Sequence, residues 1–318
     1  FGLCCKNLIR FIKIKLEELN EIEELEIVSK RSKKWYGHLS RFKASFIGTS
    51  SIASKVEFVN PEVLQFNFDE TNKVLTAKAK APLILKNEVL GYQIEYDLVN
   101  YREDRKTRIV TFVGYPKFTE LEGSKSKHKK WNKNRTKAYL GSSQHFFKSV
   151  LSNSVYDEGY TIQELIKEPN PNRPSDEAIA KAQKLYREHF KKHKYSKMAP
   201  DSVQNVMRRS REPYYINKIG AQVDYQVHYE KLENGFYSLK FPNYWLISYN
   251  EAMDDYYAPN SIHLPRNKQY HIISMTTEAI LMNKEGHLVD PLSVLFEEYW
   301  GFEKVGDSLP LDFGFEEE

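Results

Sequence analysis

The chain has 318 residues, 41% hydrophobic and 14% aromatic, enough to bury about three quarters of the surface its unfolded form exposes, so it needs neither disulfides nor a structural metal to make a core. Its 47 Lys and Arg against 43 Asp and Glu leave a net charge of +4, too small to mark the whole chain as a nucleic-acid binder. The only cysteines, adjacent Cys4 and Cys5, can neither bridge distant segments nor supply a four-ligand zinc site, and they read as unpaired thiols.

The first residues lack a basic region followed by a long apolar run, so no intact signal peptide is read and a processed or truncated chain is expected. Apolar stretches such as Tyr244 to Ser248 fall far short of the roughly 20 residues a membrane-spanning helix needs. Membrane attachment is therefore expected from a lost lipidated N-terminus or from a partner.

In residues 8 to 16, Ile12, Ile14 and Leu16 alternate with Lys13 and Lys15, predicting a half-buried strand. Leu25 to Val28 predicts a second short one, and two strands alone do not make a stable sheet. From Ser32 the period changes: Trp35, Leu39, Phe42 and Phe46 predict an amphipathic helix that stops at Gly48. Strands are predicted at Val63 to Phe68, Val74 to Ala79, Leu90 to Tyr101 and Ile109 to Val113; in the third, Tyr92, Ile94, Tyr96 and Leu98 alternate with Gln93, Glu95 and Asp97, as in a sheet with one wet face.

Gly123 to Arg135 reads as a Lys-rich connection, followed by a helix from Arg135 to Leu151. Asn170 to Pro174, with two prolines, breaks the chain, after which Ser175 and Asp176 can cap a charged helix running to about Lys194. That helix has a narrow apolar face of Ile179, Leu185, Tyr186 and Phe190. Strands are then predicted at Val223 to Tyr229, Phe236 to Phe241, Tyr244 to Tyr249, Tyr270 to Ser274 and Ala279 to Asn283, with a hairpin turn at Asn234-Gly235 and a second turn at Asn283 to Gly286. The nearly unbroken apolar run Tyr244 to Tyr249 implies burial on both faces.

Trp35 to Gly48 (WYGHLSRFKASFIG), Asn60 to Asp69 (NPEVLQFNFD), Ala81 to Tyr101 (APLILKNEVLGYQIEYDLVNY), Trp131 to Phe147 (WNKNRTKAYLGSSQHFF) with Asp157 to Tyr160, and Gly286 to Phe313 (GHLVDPLSVLFEEYWGFEKVGDSLPLDF) follow one another in order. In this succession, which covers most of residues 30 to 313, the chain resembles the carboxypeptidase-like regulatory-domain proteins of Bacteroidota, in which a short transthyretin-like β-sandwich precedes a long mixed domain. The resemblance implies that residues 1–30 are the last strands of such a sandwich and residues 31–318 a family-specific α+β domain, with a sub-boundary near 168–175. It is to a regulatory sandwich and not to a peptidase domain, so it implies an interaction module and no zinc chemistry. Related sandwiches sit at the periplasmic front of outer-membrane nutrient importers, and by that analogy the chain is an accessory subunit of an importer or of the β-barrel assembly machinery.

A metallopeptidase would need a His-x-x-Glu pair and a third ligand, and no His here has Glu three residues later. His287 with Asp290 falls beside a turn, where a loop hydrogen bond is the reading. His189 and His193, four apart on a helix, stand among Lys191, Lys192 and Lys194, whose charges oppose a cation, and they read as a solvated basic face. Ser142, Ser143 and His145 lack the Gly-x-Ser-x-Gly elbow of a serine nucleophile, so a packing or hydrogen-bonding role is expected. Lys125, Lys127, His128, Lys129, Lys130, Lys133 and Arg135, with Trp131 among them, read by default as a solvated loop. The same residues suit phosphate and base contact, anionic lipid headgroups or an acidic partner. Tyr244-Trp245, Tyr256-Tyr257 and Tyr299-Trp300 are core or interface anchors.

The expected fold is α+β: an N-terminal β-sandwich remnant, then a large antiparallel-sheet domain packed with three or four helices. The expected function is a non-enzymatic scaffold subunit in the cell envelope, on the periplasmic side of the outer membrane or at the cell surface, with an outer-membrane β-barrel protein or its lipoproteins as partner. No cofactor, metal, catalytic residue or nucleic acid is assigned. The candidate interaction surface is Lys125, Lys127, Lys129, Lys130, Trp131, Lys133, Arg135, Tyr256, Tyr257 and Trp300. Alternatives are an envelope-polymer hydrolase, requiring paired acids in a pocket, and a carbohydrate-binding module, requiring an exposed row of Trp and Tyr.

Overall fold

Ser32 opens the first helix by accepting the N–H of Trp35 at 3.2 Å, which satisfies one of the orphan donors of a helix start. In the computed structural model, which describes residues 31–193, 198–253, 264–265 and 267–314, α1 (Lys33–Phe42) continues through a π turn over residues 43–47. It ends at Gly48, whose φ of +105° strains any residue with a Cβ. Of the stripe expected from the sequence, Phe42 and Phe46 are buried and Trp35 and Leu39 half-buried, and Ile47 joins them inside. The predicted strands at 8–16 and 25–28, the sandwich remnant over residues 1–30 that they belong to, and Tyr256 and Tyr257 lie outside the described residues.

Six antiparallel strands follow: β1 (Glu57–Phe58), β2 (Leu64–Asp69), β3 (Val74–Ala79), β4 (Leu83–Asn87), β5 (Tyr92–Asp104) and β6 (Ile109–Glu120). One edge of β5 pairs with β6 along its length; the other is shared between β4 at residues 92–96 and β3 at residues 102–104. The predicted alternation holds for Tyr92, Ile94 and Tyr96, all buried. A register shift between Leu98 and Asn100 then inserts one residue and flips the phase, so that odd-numbered Tyr101 and Glu103 turn inward. Glu103 is tolerated there because Arg41 of α1 reaches it as an ion pair, as a buried carboxylate requires. Phe42, Phe46, Leu64, Leu75, Leu83, Ile94 and Tyr101 form the first core, and Val305 and Leu309 return from the far end of the chain to close it. Asn87 fixes that return by donating to the Gly306 carbonyl at 2.9 Å.

The Lys-rich segment expected to be a connection is helix: α2 (Lys125–Tyr139). Ser124 caps it, with the Lys127 N–H donating to Oγ at 3.4 Å, and neither Gly nor Pro interrupts it before Gly141. Like-charge neighbours cost a helix only about 0.2–0.5 kcal/mol per pair, less than the packing of its inner face returns. Gly141, at φ +85°, separates α2 from α3 (Ser143–Leu151).

The chain then runs through β7 (Tyr160–Pro169), α4 (Asp176–His193), α5 (Asp201–Arg209), β8 (Tyr215–Gln222), β9 (Tyr229–Lys231), β10 (Tyr237–Leu239), β11 (Tyr244–Tyr249), β12 (Gln269–Met275), β13 (Ile280–Met282), β14 (Val294–Glu298) and α6 (Tyr299–Phe302). A five-stranded antiparallel sheet has the order β14-β12-β11-β7-β8, and a three-stranded one β13-β10-β9. β11 is central and almost wholly buried, as its apolar run implies. Its Trp245 and Ile247 face Phe146, Phe147 and Val150 of α3 and Trp300 of α6 in the second core. Gly235, at φ +81°, turns the β9–β10 hairpin, and Gly286 turns the second predicted hairpin, donating to the Asn283 carbonyl at 3.1 Å. Residues 223–229 are not the expected strand: Asp224 caps a 3₁₀ turn over Tyr225–His228 by accepting the Gln226 N–H, and only Tyr229–Lys231 pairs. Buried packing changes from the first core to the second between Tyr139 and Phe146. Around 168–175 the chain leaves β7 for a helical excursion, α4 and α5, before returning as β8, the antiparallel neighbour of β7. The fold is α+β, with several antiparallel sheets and six helices among the described residues.

Candidate functional site

α2 divides the candidate surface residues by face. His128, Trp131 and Arg135 recur at spacings of three and four and point to the first sheet. Trp131 Nε1 donates to the Glu88 carbonyl at 2.9 Å, Asn134 Nδ2 to Val89 O at 2.7 Å and Arg135 Nε to Leu90 O at 2.7 Å. The Arg135 guanidinium also pairs with Glu120 at 2.6 Å and lies 3.9 Å from the Tyr92 ring centroid. A Cβ on Gly91 would sit 2.2 Å from the Trp131 ring, so this approach requires glycine. Trp131 and Arg135 are 5% and 6% exposed; both are clamps and not members of the surface expected from the sequence. Trp300 is likewise removed from it: 3% exposed, it donates Nε1–H to the Gly141 carbonyl at 2.8 Å and stacks on His271 at 4.0 Å.

The lysines are outside. Lys125, Lys127, Lys129, Lys130 and Lys133 are all exposed, and none of the five makes an ion pair among the described residues. Lys125, Lys129 and Lys133 stand at i, i+4 and i+8, a line of like charge along about 12 Å of helix at 1.5 Å rise per residue. The helix has no carboxylate from end to end.

His145 pins the turn between α2 and α3. Its Nδ1 accepts the backbone N–H of Gly141 at 3.2 Å and lies 3.0 Å from the Tyr160 hydroxyl, while Nε2 lies 3.1 Å from a Glu158 carboxylate oxygen. A backbone N–H can only donate, so Nδ1 carries no proton and Nε2–H donates to Glu158. Burial pulls the imidazole below its ordinary pKa, partly offset by Glu158. The Ser142 hydroxyl accepts the His145 backbone N–H at 3.2 Å as the cap of α3, so Ser142 and His145 join in a structural turn.

Beside α2 lies a cleft of about 1100 Å³. Lys130 and Asn134 of α2 form part of one wall; Tyr249, Glu251 and Gln269, from the ends of β11 and β12, contribute to the other. Gln269 is buried, and its Oε1 has no hydrogen-bond partner. His271, two residues on in the same strand, is fully buried with both ring nitrogens unpartnered, and burial alone holds its pKa well below the ordinary value. Sequence reasoning did not find the cleft, because its walls come from segments more than a hundred residues apart.

The His287 and Asp290 motif serves the fold. His287 Nε2 lies 2.7 Å from the Leu311 carbonyl, and Asp290 accepts the Leu292 N–H at 2.8 Å. The His189 and His193 rings lie side by side on α4, with centroids 4.6 Å apart and planes tilted by 43°. Among the described residues, no three His, Cys, Asp or Glu side chains are grouped to hold a metal, and no helix is long and apolar enough to cross a membrane.

No family model, no curated protein and no solved structure matches the chain.

Proposed function

We propose that the chain is a non-enzymatic accessory subunit in the bacterial cell envelope that docks onto an outer-membrane complex, a β-barrel protein or its associated lipoproteins, through the lysine face of α2. The observation that carries this reading is the row Lys125, Lys129 and Lys133, exposed, unneutralised and presented on a helix that Trp131 and Arg135 fasten to the first sheet. An isolated row of like charges destabilises its own helix; an acidic partner surface relieves that cost. A helix already fixed in place loses little freedom on docking, and the row steers encounter with a partner of opposite sign. Burial of Trp131 removes the stacking ring that a nucleic-acid site would use among these lysines. The envelope setting, with barrel assembly or nutrient import as the role, rests on the resemblance of residues 30 to 313 to the regulatory-domain proteins. Affinity purification from a gentle detergent extract of envelopes tests it: the wild-type chain should retain a barrel protein or lipoprotein that Lys125→Glu/Lys129→Glu/Lys133→Glu loses. Equal recovery with both baits, or recovery of a lone monomer with either, contradicts it.

The cleft favours a second reading, a carbohydrate-binding module that works through polar groups in a cleft and not through the exposed row of Trp and Tyr expected from the sequence, since Trp131 and Trp300 are buried. Hydroxyl-rich ligands are recognised by carboxylates, amides and aromatic faces set together, and Glu251, Asn134, Gln269 and Tyr299 supply these groups. Calorimetry against soluble envelope glycans should then show heat that Asn134→Ala/Glu251→Ala abolishes; no heat with any glycan removes this reading and leaves the first intact.

A further inference from the structure

The excursion between β7 and β8 is a helical arm with its own small core. Ala182 of α4, Ala199 just ahead of α5 and Val203 of α5 are buried together, with Tyr186, Val206 and Met207 packed against them. Its base is stapled: Arg173 donates to the Glu212 carbonyl at 2.8 Å and lies 3.8 Å from the Tyr214 ring centroid, Arg209 donates to Asn172 O at 2.6 Å, and Asn170 donates to Pro213 O at 3.1 Å. The outer face of α4 is therefore free of any duty to the arm's fold. Between Lys181 and Lys192 it carries five Lys and Arg against one carboxylate, Glu188. Lys181, Lys184, Arg187, Lys191 and Lys192 are exposed, and none of the five makes an ion pair among the described residues. Lys184, Arg187 and Lys191 fall on one line at i, i+3 and i+7.

One apolar side chain stands on this basic surface, and a second is exposed between α4 and α5. Leu185, which the sequence assigns to the inner face, is 43% exposed between Lys181 and Lys192, and Met198, just ahead of α5, is 77% exposed. α2 differs: from Lys125 to Lys137 it exposes no apolar side chain. Basic side chains flanking the outward Leu185, with Met198 exposed further along the arm, are what an interfacial segment needs, because the cations meet lipid phosphates while the apolar groups enter the acyl boundary. A nucleic-acid backbone matches the cations but offers nothing to Leu185 and Met198.

We infer that the outer face of α4, with Met198, docks onto an anionic phospholipid surface and makes the arm a peripheral membrane anchor. The inference is independent of protein docking by α2, since vesicles contain no protein partner. Co-sedimentation of the full chain with vesicles of phosphatidylglycerol and phosphatidylcholine in equal parts, and of phosphatidylcholine alone, tests it. Binding is expected to the mixed vesicles only, weakening as salt rises. Each basic residue near such a surface is worth about a fivefold change in affinity, so Lys184→Glu/Arg187→Glu/Lys191→Glu should lose about a hundredfold or more. Leu185→Ser/Met198→Ser should lose about tenfold, and Lys125→Glu/Lys129→Glu/Lys133→Glu should keep most of the binding. Circular dichroism matching the wild type certifies each variant as folded. No sedimentation of the wild type with anionic vesicles, or sedimentation that the α2 variant loses and the α4 variant keeps, overturns the inference.

Discussion

Trp131→Ala should destabilise the protein by about 3–5 kcal/mol, the usual cost of emptying a buried Trp site. The indole fills a slot whose floor is Gly91 and whose side is Gly123; a Cβ on either would lie 2.6 Å or less from a ring atom, so no side chain there can move in to fill the space. The Glu88 carbonyl also loses the donor it has at 2.9 Å, which adds about 1 kcal/mol. Trp131→Phe keeps most of the ring and should cost much less. Because Trp131 is one of the clamps that hold α2, the alanine variant should also weaken partner capture although every lysine remains. Urea unfolding of the three proteins measures the effect. A loss below about 1 kcal/mol for alanine would mean that α2 is not fastened to the first sheet as described.

Acid should unfold this protein early, through histidines that are buried and neutral. His145 and His271 both have pKa values lowered chiefly by burial, so below the ordinary histidine value near 6.5 the unfolded chain binds protons that the native one refuses. Stability is then fully present above about pH 6.5 and falls as pH drops through it. Each such group contributes a slope of about 1.4 kcal/mol per pH unit until its folded pKa is reached. His271 is the sharper test, since neither nitrogen has a partner and its contact with Trp300 is a ring stack at 4.0 Å. His271→Phe keeps an aromatic ring beside Trp300 and removes the titrating group. Unfolding curves at pH 7 and pH 5 should show the variant losing about 1–2 kcal/mol less than the wild type over that interval. Parallel loss in the two proteins would show that His271 takes no part.

Much of the fold is legible where local pattern and tertiary role agree. β3, Val74 to Ala79, and β11, Tyr244 to Tyr249, have the bounds their sequences predict, the period changes to helical at Ser32, and Ser175 and the glycines at 48, 235 and 286 mark a cap and turns where expected. β7 and β8 were not legible. Tyr215 to Gln222 contains Asn217, Lys218 and Gly220, poor strand formers on their own, and it is a strand because β7 pairs with it from across the excursion. The sequence assigns Glu103 to no face, because the bulge that turns it inward depends on pairing with β6. α5 does carry a sequence signal, Asp201 at the first turn and then Val203, Val206 and Met207 at helical spacing.

The candidate surface shows the same division. The charge run at 125–135 is visible in sequence, but its density hides the helical period of His128, Trp131 and Arg135 inside it. Reading that period separates the clamps from the lysines. Trp300 could not be placed from its neighbours, because its burial is decided by α3 and β12, segments distant in sequence.

Amine footprinting of lysines tests most directly whether the outer face of α2 is an occupied docking surface. In isolated outer-membrane fractions, Lys125, Lys129 and Lys133 should label more slowly than in the purified protein, while Lys78 and Lys106, exposed on the strand β3 and in the turn after β5, label alike in both. Equal labelling of the three α2 lysines in membranes and in solution would contradict docking through this face.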